Sequence, residues 1–190
     1  MPSKFEPAFE FMLPNEGGWG SFSMDPDDPG GATADGISIR SLLELEKGNL
    51  GAWDLDGDGD VDAADMKALA LLGHVPQVRE FYREHFWLPA FEGIKDQAIA
   101  TKVFDAGVNM GRSRAVMVLQ KAVGWYRLDI KPDGKFGPVT LEGINASNSA
   151  PLLMKAFVAE LARFYYELVS AKRARSKYIR GWLTRAYRLP

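Results

Sequence analysis

Between Glu16 and Thr33 the chain reads EGGWGSFSMDPDDPGGAT, and this stretch restricts the fold more than any other part of the 190 residues. Upstream, Phe5, Phe9, Met12 and Leu13 recur at helical spacing, and Glu16 falls four residues after Met12 on the same apolar face. Gly17 and Gly18 stop that helix, because glycine readily enters the left-handed conformation a helix needs to end. Pro26, Pro29, Gly30 and Gly31 prevent its renewal. The segment carrying Asp25, Asp27 and Asp28 is therefore expected to be a turn-rich loop or short hairpin that folds back past Glu16 and closes at Thr33. Apolar surroundings and the negative end of a helix both disfavour a charged carboxylate, and a carboxyl kept protonated is what a general acid needs. One acid at a helix end, facing a second carboxylate and a hydroxyl, is an arrangement suited to glycoside hydrolysis.

Absences narrow the chemistry. There is no cysteine, so disulfides and thiol catalysis are excluded. The two histidines, His74 and His85, lack HExxH spacing, and no GxSxG elbow is present, which argues against zinc and serine hydrolases. His85 lies four residues after Phe81 on one helical face and is expected to be packed. No apolar run approaches the ~18 residues of a membrane span, and MPSKFEPAFEF lacks the features of a secretory signal. The net charge of −2 conceals an asymmetry: residues 1–70 hold 15 acidic and 4 basic residues, whereas Lys172, Arg173, Arg175, Lys177, Arg180, Arg185 and Arg188 face no acid after position 170. This balance does not suit a nucleic-acid binder. The basic tail suits an anionic outer-membrane surface or a solvated face on a packed helix, with Tyr178, Trp182 and Tyr187 turned to the body and the cations outward.

A second informative stretch runs from Asp54 to Asp65. Counting from Asp54, acids fall at positions 1, 3, 5, 7, 9 and 12 (Asp54, Asp56, Asp58, Asp60, Asp62, Asp65), with Gly59 at 6 and Val61 at 8. This is the EF-hand loop pattern, with aspartate at the last position. Six carboxylates in twelve residues repel one another unless a cation gathers them, so one structural calcium ion is expected. The final aspartate makes the loop look like those of dockerin modules. Only one such loop occurs, which marks it as an insertion.

The rest of the chain is predominantly helical in pattern. Ile39, Leu42 and Leu43 give a short helix ending near Gly48; Met66, Leu69 and Ala70 give another ending near Gly73; Pro76 opens a third with Val78, Phe81 and Tyr82 on one face. From Lys95, Ile99, Val103, Phe104 and Val108 lead to Asn109-Met110-Gly111, and Ala115, Val116, Leu119 and Val123 form the next stripe. Pro151 starts a long helix with Leu153, Phe157, Leu161, Phe164 and Leu168 inward.

EGG followed by an aromatic residue, then DP, DPGGAT and Gly36-Ile37, resembles the signature of family 108 glycoside hydrolases, N-acetylmuramidases of phage endolysins and of some bacterial secretion systems. The run FDAGVNMG, RAVMVLQKAVG and FGPVT resembles the peptidoglycan-binding half that follows in that family. The resemblance implies a lysozyme-like fold, and the chain's own pattern adds the expectation that it is mainly α, with a small irregular or β-hairpin lobe and one EF-hand-type loop inserted outside the resemblance. It implies Glu16 as the catalytic acid, beside which we expect Asp25 or Asp28 as the assisting carboxylate and Thr33 as the group that places water. It also implies Asp105 and Asn109 along the sugar groove, with helix-end hydrogen bonding as their competing role. We expect a catalytic part at 1–93 and a wall-binding part at 94–190, packed together as a monomer. The substrate expected is bacterial peptidoglycan, reached from the host cytoplasm after holin-type release. The competing readings are a secretion-associated muramidase and a non-catalytic, calcium-dependent wall-binding module.

Overall fold

The apolar spacing that opens the chain folds as helix α1 (Phe5–Met12). The α-helix does not continue to Glu16, as the spacing alone predicts. Pro14 has no N–H to give to the preceding turn, so the chain tightens into a 3-10 turn, Leu13–Glu16, with proline among its first residues, where no donor is required. The structure is a computed structural model and describes residues 2–24, 31–73, 76–147 and 149–190. It divides into a continuous unit, Met12–His85, and a discontinuous one that joins Met1–Phe11 to Phe86–Pro190.

In the continuous unit, strands β1 (Phe22–Ser23), β2 (Thr33–Ala34) and β3 (Ile37–Ser38) form an antiparallel sheet in that order. Thr33 pairs with Ser23 on one side and with Ser38 on the other. Asp35 (φ 49°) and Gly36 (φ 79°) make the two-residue connection between β2 and β3. Both are left-handed, as a type I′ hairpin requires. Helix α2 (Ile39–Leu45) starts from Ser38, whose hydroxyl accepts the Ser41 N–H. Helix α3 (Ala63–Leu72) packs on β1 and β2, and α4 begins at Pro76 (Pro76–Phe86). Leu42, Trp53, Met66, Leu69, Val78, Phe81 and Tyr82 fill the interior with Ala34 and Ile37. Trp53 meets Phe81 edge-on at 5.9 Å, and Phe81 meets His85 at 4.8 Å. His85 packs on Phe81, but its Nε2 also lies 2.7 Å from the buried Glu46 carboxylate at the end of α2.

In the discontinuous unit, helix α5 (Gln97–Met110) is buried at every residue from Ile99 to Gly107, and so must lie at the centre. Helices α6 (Arg112–Val123) and α8 (Ala150–Ala171) pack on each other, and α6 packs on α5. Phe5 meets Phe104 at 5.6 Å and Trp87 at 5.9 Å, so α1 enters the same core. Helix α7 (Pro138–Asn145) is an element the apolar pattern misses; Pro138 directly after Gly137 was its only start signal. On α8 the inward stripe is Leu153, Phe157, Leu161 and Tyr165. Phe164, expected in that stripe, is only half-buried, because four residues after Leu161 the helix presents Tyr165.

Helix α9 (Ile179–Tyr187) departs from the expected arrangement of aromatics in and cations out. Trp182 does stack on Tyr165 at 5.3 Å, but Tyr187 is 62% exposed and Arg185 turns inward. The cause lies on the buried α5, which carries two charges. Lys102 donates from Nζ to the carbonyls of Arg185 (2.6 Å) and Arg188 (2.7 Å) at the end of α9. Helix-end carbonyls lack intrahelical partners and carry partial negative charge, so the ammonium satisfies both. Asp105 accepts from Arg185 Nε at 3.0 Å and pairs with its Nη2 at 2.9 Å. Burial pushes the Lys102 ammonium below its usual range, against the pull of Asp105. No helix among the described residues is long and apolar enough to cross a membrane.

Deleting residues 172–190 leaves Lys102 and Asp105 only each other, at 3.5 Å, and removes the carbonyls and the guanidinium that α9 supplies to them. Loss of a partner from a buried pair costs about 3–5 kcal/mol. The truncated protein is therefore expected to melt roughly 10 °C below the full chain in scanning calorimetry. A shift under about 2 °C would show that α9 is not needed for the fold.

Candidate active site

Glu16 is the last residue of the 3-10 turn and is half-buried. Gly17 follows at φ 99°, ending the turn, and the N–H of Gly18 reaches Leu13 O at 3.0 Å. Two positive φ values in succession at Gly17 and Gly18 turn the chain away at once, which leaves the glutamate side chain at the corner. The β2–β3 hairpin tip meets that side chain. A methyl group on Gly36 would overlap Glu16 Cβ and lie 2.9 Å from its Cγ and 2.6 Å from the Tyr82 hydroxyl. Only glycine fits there, so the hairpin backbone lies directly against the stem of the acid.

The tip is tied down from two sides. Tyr82 on α4, 1% exposed, donates its hydroxyl to Asp35 O at 3.1 Å. Asp35, fully buried, accepts the Ser21 N–H on Oδ1 at 3.2 Å and donates its own N–H to Ser21 O at 3.0 Å. Thr33, half-buried in β2, sits three residues before Gly36 on the same hairpin. Asp25 and Asp28, the expected assisting carboxylates, lie outside the described residues. Asp35, Gly36 and Tyr82 shape the surroundings of Glu16, and no spacing in the sequence gives any of them a role at the site. Asp-Gly is the usual type I′ signal and was readable. Tyr82 was readable only as part of an apolar face.

Asp105 and Asn109 belong to the discontinuous unit. Asp105 is 1% exposed and held by Arg185 and Lys102. Asn109 is exposed, and its Oδ1 accepts the Tyr165 hydroxyl at 2.8 Å. Burial pushes the Tyr165 phenol up to about 12, which keeps it a donor at neutral pH.

The acidic loop is organised by its own backbone. Asp54 accepts from the N–H groups of Gly57 (2.7 Å) and Gly59 (3.0 Å), Asp58 from Asp60 N–H (3.0 Å), and Asp56 from Asp58 N–H (3.3 Å). Asp65, buried, closes the loop by accepting from Leu55 (2.6 Å), Asp56 (3.3 Å) and Asp62 (2.8 Å). Carboxylate oxygens of Asp54, Asp56 and Asp65 lie within 4.8 Å of one another, as do those of Asp60, Asp62 and Asp65. Asp58 belongs to neither trio. Hard oxygen donors converging on a shared Asp65 suit a hard divalent cation. Desolvation followed by neighbouring like charges raises Asp56, and the Asp58 charge leads in raising Asp60. Burial works against the charge on Asp65, but the N–H groups of Asp62, Leu55 and Asp56 together outweigh it and hold it below the ordinary range.

A helical body with a small sheet lobe that braces a half-buried glutamate defines a lysozyme-like glycoside hydrolase. Residues 9–111 match the family Glycosyl hydrolase 108, and the chain belongs to that family. Residues 114–187 match the family described as Predicted Peptidoglycan domain. The solved structure titled "Structure of Brucella abortus SagA" is similar at 25% identity with a TM-score of 0.66, over 96% of this chain and 88% of that one. No curated protein matches the chain significantly. The chain is thus a peptidoglycan-hydrolysing enzyme with a peptidoglycan-binding part.

Asp65 gives the loop a defined acid limit. Its folded carboxyl is held below the ordinary aspartate value of 3.8, so its contribution to stability is complete above that value and is lost as pH falls through the folded one. Asp65→Asn is expected to lower stability at pH 7 and to flatten the acid limb of a urea-unfolding series. An acid limb with wild-type steepness in Asp65→Asn would assign that titration elsewhere.

Proposed function

We propose that this enzyme is an N-acetylmuramidase, hydrolysing the β-1,4 bond between N-acetylmuramic acid and N-acetylglucosamine. The observation that carries the reading is Glu16: a half-buried carboxyl at a chain corner, braced by Gly36, in a family 108 chain that continues into a peptidoglycan-domain match. Glu16 gives its proton to the glycosidic oxygen as the bond to the muramic acid ring breaks. Charge then develops on that ring, and Asp25 or Asp28 stabilises it or orients the attacking water. Thr33 helps to place the water. Its oxygen ends on the muramic acid carbon, and the departing sugar leaves as an alcohol.

Glu16→Gln preserves size and polarity and removes the transferable proton. It is expected to lower wall hydrolysis by roughly 100-fold or more with unchanged circular dichroism. In wild-type digests reduced with borohydride, the new ends should be reduced N-acetylmuramic acid. New reducing ends on N-acetylglucosamine, or cyclic ends formed without water, would overturn the muramidase assignment. Near-wild-type turbidity clearance by folded Glu16→Gln would overturn the role of Glu16.

The loop from Asp54 to Asp65 binds one calcium ion in this reading. Asp54, Asp56 and Asp58 would supply side-chain oxygens, Asp60 its carbonyl, Asp62 a direct or water-mediated contact and Asp65 the closing carboxylate. The ion would neutralise the repulsion that raises Asp56 and Asp60. Binding to the folded loop alone stabilises by about 2.7 kcal/mol at a hundredfold excess of calcium over Kd. Titration calorimetry is expected to give one site, and chelation to lower the melting temperature more than the initial rate at low temperature. A calorimetric blank would remove the site.

A further inference from the structure

We propose that Tyr82 is a positioning residue for Glu16, acting through the Asp35-Gly36 hairpin tip. The proposal rests on the assignment of Glu16 as the acid. The Glu16 stem leaves a 3-10 turn at a corner, where the backbone turns away through Gly17 and Gly18. What lies against the stem is Gly36. Gly36 has no side chain, so it presents backbone, and backbone in a two-residue type I′ turn has little freedom to yield. Two hydrogen-bonded anchors hold that turn, from two directions. One is the pair of hydrogen bonds between Asp35 and Ser21, in the segment that follows Glu16. The other is the Tyr82 hydroxyl on Asp35 O, from a residue 47 positions away and buried in α4.

The first anchor ties the tip to the same loop that must be positioned. Tyr82 refers it to the helical core from the α4 side, where its ring meets Phe81 edge-on at 5.7 Å and Phe81 meets Trp53. Tyr82 never touches the substrate in this role. It sets where the hairpin stops, and the hairpin sets which way Glu16 points. A shift of about 1 Å in a reacting group costs as much as 100-fold in rate, so a single anchoring hydrogen bond has leverage on kcat out of proportion to its effect on stability.

Tyr82→Phe keeps the buried ring and removes the anchor. It is expected to lower kcat on solubilised peptidoglycan at least about tenfold, with KM within about twofold. Gly36→Ala drives a methyl into the Glu16 stem and is expected to lower kcat roughly 100-fold or more. Because Gly36 has a left-handed φ, alanine there also strains the backbone. Gly73→Ala is the control: it sits in the same unit at φ 57° with open space around it, and is expected to lose stability while keeping kcat within about twofold. Two results would overturn the proposal: Tyr82→Phe with wild-type kcat while Glu16→Gln is inactive, or Gly73→Ala losing kcat as fully as Gly36→Ala. Should folded Glu16→Gln itself remain active, the parent assignment falls first and the positioning role with it.

Discussion

The space between Glu16 and Gly36 is too small for any side chain but hydrogen, and the continuous unit is arranged about that fact. To bring backbone against the acid, the chain must reverse in two residues, which calls for left-handed φ at both Asp35 and Gly36. To keep it there, a buried tyrosine must reach across from α4, and α4 must be fixed by its own core through Val78 and Phe81. The three short strands pair only two residues each, so their ladder is short, and Ala34 and Ile37 tie it to the interior. They serve to direct the tip, and α3 packed on β1 and β2 gives them a floor.

In the other unit the problem is one of charge. A helix buried along nine consecutive residues would ordinarily be apolar throughout, yet α5 carries Lys102 and Asp105. Each is matched from the last helix of the chain, by carbonyls in one case and by a guanidinium in the other. Such pairs contribute less to net stability than their short distances suggest, because desolvation offsets most of the attraction. They do select one seat for α9, because a rotated or slipped helix would leave Lys102 and Asp105 with only their mutual 3.5 Å contact.

Most helices were legible because their apolar spacing is local: α1, α3, α4, α5, α6 and α8 follow from residues three and four apart, with Pro76 and Pro151 marking starts. The acidic loop was legible for the same reason, since its acceptors bind N–H groups mostly within five residues. What failed was long-range. Nothing near Tyr82 says that its hydroxyl meets Asp35, and nothing near Arg185 says that it turns to an aspartate 80 residues away. Helix α7 is short, and its one strong signal was a proline. The end of α1 was missed because the apolar stripe was followed past Pro14, where the missing N–H decides the geometry.

The way the chain is divided also imposes an order on its assembly. Every contact of the continuous unit can be made once residue 85 has left the ribosome. Phe5, by contrast, has its ring partners at Trp87 and Phe104, and Lys102 has its acceptors at Arg185 and Arg188. The segment around Phe5 must therefore wait, uncommitted, while roughly a hundred more residues are added, on the order of 5–20 s at ordinary synthesis speeds. The half that carries the acid can complete its structure before the other, and the half that carries the peptidoglycan-domain match is closed only when Arg185 and Arg188 have been added.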